Sequence, residues 1–108
     1  MRPLILAVLL ACAGAAHAEF RTGNRLLSEM NDSTYFAQGM AMGYVIGVAD
    51  ANNGTNHCLP ATATVGQLHD MVKNMLIETP AVRHLPADTI VNYVLNKAWP
   101  CAKKGQAL

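Results

Sequence analysis

Cys58 and Cys101 carry the sharpest chemistry in this chain. In an oxidising compartment two such thiols have one intramolecular pairing, a single disulfide. It would close a loop of about 44 residues, worth about 4 kcal/mol if the stabilisation is read as chain entropy. Neither cysteine lies in a C-x-x-C, so a structural bridge is expected rather than a redox or metal pair. His57, His69 and His84 lack the i, i+4 spacing of a helical zinc site, and no metal is expected. There is no Gly-rich phosphate loop, no H-E-x-x-H and no nucleophile elbow. Asp50 has no second carboxylate nearby for acid–base work. With no catalytic set and no cofactor motif, a binding role is expected, not an enzyme. Its natural contact sites are two connections, Asn52–Ala63 and Glu78–Leu85.

The oxidising compartment is itself read from the N-terminus. Arg2 precedes an uncharged apolar run, Leu4 to Ala11, and Ala16-His17-Ala18 is an A-x-A cleavage site. Residues 1–18 therefore read as a secretory signal peptide, with the mature domain spanning 19–108 and exported from the cytoplasm. Lipoprotein anchoring at Cys12 is the weaker alternative, because Leu10 fits a lipobox poorly. The apolar run is too short to span a bilayer, so no membrane attachment is expected after cleavage. Eight basic and seven acidic residues give a net charge of +1, and without Arg2 the charges balance. That leaves no basic footprint for nucleic acid. A neutral domain of ~90 residues is small enough to need a staple or a partner.

Four helices and no strands are expected to position the two connections: an all-α bundle of four to five helices closed by Cys58–Cys101. Thr22–Asn31 forms the first, with Leu26, Leu27 and Met30 inward. Ser33 or Thr34 caps a second that runs to about Ala51, with no charge between Asp32 and Asp50. Apolar on all sides, it reads as the buried central helix. Gly39, Gly43 and Gly47 recur every four residues along it. They read first as a close intrachain helix crossing, and otherwise as a seam for a second copy or a partner. Thr64 starts the third helix, with Val65, Leu68, Val72, Met75 and Leu76 on one face, and Pro80 follows its end. The last runs from Pro86 to about Ala98, and Lys103–Leu108 is a tail.

Gly43-Tyr44-Val45-Ile46-Gly47-Val48-Ala49-Asp50, Cys58-Leu59-Pro60, Thr64-Val65-Gly66-Gln67-Leu68, Pro80-Ala81-Val82-Arg83-His84 and Ala98-Trp99-Pro100-Cys101 occur in that order. The set resembles the Rap/Tai family of immunity proteins over about Gly39–Cys101. The resemblance implies a small periplasmic helical protein that binds a peptidoglycan amidase toxin delivered by type VI secretion. It also implies occlusion of the toxin's active site by a loop, and a homodimer. On exposure and hydrogen-bonding capacity, Glu78, Arg83 and His84 are the first partner-binding candidates, with Asn56 and His57 second. The same Arg83 and His84 could instead cap the neighbouring helices. A periplasmic acid-stress chaperone, also small, helical and disulfide-closed, is the alternative function.

Overall fold

Threonine starts three of the four helices. In the computed structural model, which describes residues 20–102, the Thr22, Thr34 and Thr64 hydroxyls accept from the Arg25, Ala37 and Gln67 N–H groups at 3.1–3.2 Å. Each satisfies a donor that a helix start leaves unpaired. The helices are α1 (Gly23–Met30), α2 (Tyr35–Asn52), α3 (Val65–Glu78) and α4 (Ala87–Ala98). A short 3₁₀ turn, Pro80–Val82, breaks the second connection. The described residues contain no strand, and none of their helices is long and apolar enough to cross a membrane. The expected export segment, the Cys12 alternative and the tail lie outside the described residues.

Leu26 and Met30 of α1, Leu68, Val72 and Leu76 of α3, and Ile90, Val91, Val94 and Leu95 of α4 close on one core. The periodicity of α1, α3 and α4 anticipates most of this, although Val65 is exposed. From α2 only Ala41, Val45 and Ala49 are buried, at i, i+4 and i+8. The expectation of a helix buried on all sides is therefore corrected: Tyr35 is 93% and Phe36 79% exposed, and Met40 and Met42 are exposed as well. Three other helices reach only one side of α2. Uniform apolarity of a sequence does not create neighbours to cover it.

The intrachain crossing at Gly39, Gly43 and Gly47 is also absent. A Cβ added at any of them would meet nothing within 4 Å. The close approach occurs instead at Gly23. Its N–H donates to the Leu85 carbonyl at 2.9 Å, while Asn24 N–H donates to Arg83 O and Ala87 N–H to Arg21 O. Those three bonds stitch the start of α1 to the residues before α4. Glu29, a buried carboxylate, is held by both Nε and Nη2 of Arg21, at 2.8 and 3.1 Å. That bond raises the Arg21 pKa above its ordinary value, and the guanidinium lies 5.2 Å from the Tyr44 ring centroid. A buried charge needs such pairing; here it ties the segment before α1 to α1, and the Arg21–Tyr44 contact reaches α2.

Candidate functional site

The five partner-binding candidates do not form one site. Glu78 ends α3 and Arg83 and His84 follow it, whereas Asn56 and His57 precede its N-terminus. The fourteen-residue helix sets the two groups apart by a rise of about 21 Å.

At the Arg83 end, the guanidinium is turned inward. Its Nε donates to the Leu76 carbonyl and its Nη2 to the Ile77 carbonyl, the latter at 3.0 Å. These are carbonyls that the last turn of α3 leaves without helical partners, so Arg83 closes that helix, as the capping alternative has it. Glu78 and His84 are exposed on either side. The 3₁₀ turn between them is held by Val82 N–H to Thr79 O and Arg83 N–H to Pro80 O, both 3.2 Å.

At the other end, the Asn52–Ala63 connection is tied on every side. Gly54 takes φ +90°, a conformation that glycine adopts without steric cost. Its N–H reaches the His57 carbonyl at 2.7 Å, and Leu59 N–H reaches the Asn53 side chain at 2.9 Å. His57 differs from the expectation of an exposed contact residue. It is 0% exposed, and its Nε2 donates to Ala49 O at 3.0 Å. Its imidazole is therefore a pin holding the connection to α2. The reason is local: the Gly54 turn reverses the chain and swings His57 back over the end of α2. Asn56, by contrast, is exposed.

Three further ties join this connection to the end of α4. Cys58 is bonded to Cys101 across 43 positions of sequence, as expected from the cysteine count. Cys58 N–H also donates to Trp99 O at 2.9 Å, and the Asn96 carboxamide Nδ2 donates to Asn56 O at 2.6 Å. Asn96 was not among the sequence candidates. Its position on the outward face of an amphipathic helix is the only signal the sequence offers. No group of three or more His, Cys, Asp or Glu side chains able to hold a metal occurs among the described residues. The arrangement thus consists of rigid, hydrogen-bonding surfaces at the two ends of a bundle, equipped to hold another molecule.

The family model of Rap1a immunity proteins matches residues 22–101. No curated protein matches the chain.

Proposed function

The chain belongs to the Rap1a immunity protein family, and from that premise we propose that it is the periplasmic antidote to a type VI secretion peptidoglycan amidase. An immunity protein acts by binding its cognate effector. Here that binding closes the amidase's active-site cleft, with no reaction catalysed by this chain. Residues 1–18 direct export, and residues 19–108 are the working domain. The match of residues 22–101 carries this reading, because it includes both connections, all four helices and the bridge. Asn56 is exposed and available to the effector, while Glu78 and His84 are exposed at the opposite end of the bundle. Arg83 and His57 support their connections from within.

Co-expression of the exported chain with its cognate type VI amidase tests the proposal. A complex that survives gel filtration is expected. An amidase that elutes apart from the chain would sink the idea.

The working form is a homodimer joined through α2. Its outward face has Gly39, Gly43 and Gly47 open to solvent beside exposed Phe36, Met40 and Met42. No charged residue lies between Asp32 and Asp50. Large exposed apolar patches mark interaction sites, and a helix face crossing a copy of itself gives the isologous contact of a two-fold dimer. A Cβ at Gly43 meets open space, so Gly43→Arg is expected to fold and to place two cations in the seam. Light scattering should find a dimer for the wild type and a monomer for Gly43→Arg. A monomeric wild type at micromolar concentration contradicts the seam.

A further inference from the structure

We infer that the effector docks at the Asn56 end of the bundle, in a groove between the Asn53–Cys58 turn and the outer face of α4, and not at the Arg83 end. The inference rests on the effector-binding function proposed above. Thr55 and Asn56 form one wall of the groove, and Thr89, Asn92, Tyr93 and Asn96 the other, around a cavity of about 420 Å³.

The four α4 residues stand at i, i+3, i+4 and i+7, a single stripe along the helix. That stripe is unusual for a solvated face. It holds no Lys, Glu or Arg, the residues that favour exposed helix, and is built from Thr, Asn and Tyr, which are poorer helix formers. Tyr93 leaves 53% of its surface open. The Asn92 Oδ1 is buried and accepts no hydrogen bond from any protein group. Neutral amides and hydroxyls around a rigid aromatic are the composition of protein-binding loops, where Tyr supplies contact area and Asn adaptable hydrogen bonds. Charged side chains are depleted at interface centres for the same reason: their desolvation is costly.

The occupant that fits is a neutral, extended stretch of the effector's cleft rim, offering backbone N–H and C=O groups to the carboxamides and an apolar edge to Tyr93. An anionic or cationic ligand finds no counter-charge among the lining residues. The groove is also pre-organised, because the Asn96–Asn56 hydrogen bond and the Cys58–Cys101 bridge fix its two walls to each other. Pre-organised surfaces lose less entropy on association.

The test compares affinities of the intact mature chain for its cognate type VI amidase. Asn92→Leu and Tyr93→Ala are each expected to weaken binding by about tenfold or more. Asn92→Leu removes a polar group that has no partner and installs a better helix former. It should leave the melting temperature unchanged or higher, so a loss of affinity cannot be charged to misfolding. Glu78→Ala with His84→Ala, at the far end, should leave affinity within about threefold. Strong binding by wild type, Asn92→Leu and Tyr93→Ala alike overturns the groove while leaving the immunity function standing. No binding by the wild type overturns both. Chemical-shift changes at Asn92 and Tyr93 on adding a soluble N-acetylglucosamine oligomer, with amidase affinity untouched by the variants, would assign the groove to a saccharide instead and overturn the inference.

Discussion

Replacing Cys58 and Cys101 by alanine lowers the stability of this domain by about 4 kcal/mol and its Tm by about 15 °C or more. The bridge spans 43 positions, so its removal releases a long loop in the unfolded chain and makes unfolding entropically easier. The native state loses an anchor as well. The Asn53–Cys58 turn would retain the His57–Ala49, Cys58–Trp99 and Asn96–Asn56 hydrogen bonds, each worth about 1 kcal/mol net. They are too few to hold the turn at full occupancy once the covalent tie is gone. Small domains have only about 5–15 kcal/mol in total, so a loss of this size reaches function by way of folding. Cys58 is exposed, so reductant can reach the bridge in the folded protein. Thermal melts with and without dithiothreitol check the expectation on unmodified material. Superimposable melts would show that the bridge carries no weight.

The second large effect is expected at Gly23. A Cβ there would lie 2.6 Å from Ile90 Cδ1, 2.9 Å from the Arg83 carbonyl oxygen and 3.0 Å from Leu76 Cδ2. The isoleucine and leucine ends can turn aside, but the carbonyl cannot. That oxygen accepts from Asn24 N–H, and Gly23 N–H donates to Leu85 O, so moving α1 away breaks the bonds that join it to the second connection. Gly23→Leu is expected to cost about 3 kcal/mol. Gly43→Ala, measured at a concentration where the chain is monomeric, is the control, since within one chain its Cβ enters open space. Removing a glycine from a helix interior gains about 0.5–1 kcal/mol. Urea denaturation should therefore move the two midpoints in opposite directions with unchanged slope. Equal midpoints for the two variants would contradict the packing at Gly23.

These two glycines show where the sequence could be read and where it could not. Capping threonines, amphipathic spacing in α1, α3 and α4, and a cysteine pair are local signals, and each identified its element. Burial of a particular face is not local. Gly39, Gly43 and Gly47 carry the spacing of a helix crossing, but whether another helix of the same chain lies there depends on how the other three pack. Gly23, an unremarkable residue at the start of α1, takes that role because the second connection folds back on it. His57 and Arg83 lie further inward than exposed contact residues for a similar reason. Both occur in polar connections, and both are drawn inward by carbonyls at helix ends, Ala49 O for one and Leu76 O and Ile77 O for the other. The groove lined by Asn92 and Tyr93 was invisible because its walls are far apart in the chain. The bridge, the Cys58–Trp99 hydrogen bond and the Asn96 carboxamide bring Asn56 to α4.

The most direct measurement is an inhibition titration. The purified mature chain is added to its cognate type VI amidase, and release of peptide from peptidoglycan is followed against the molar ratio. Activity should fall in proportion to added protein and vanish at one binding site per enzyme molecule. Amidase activity that persists undiminished at a large excess of folded, disulfide-bonded protein would contradict the immunity function itself.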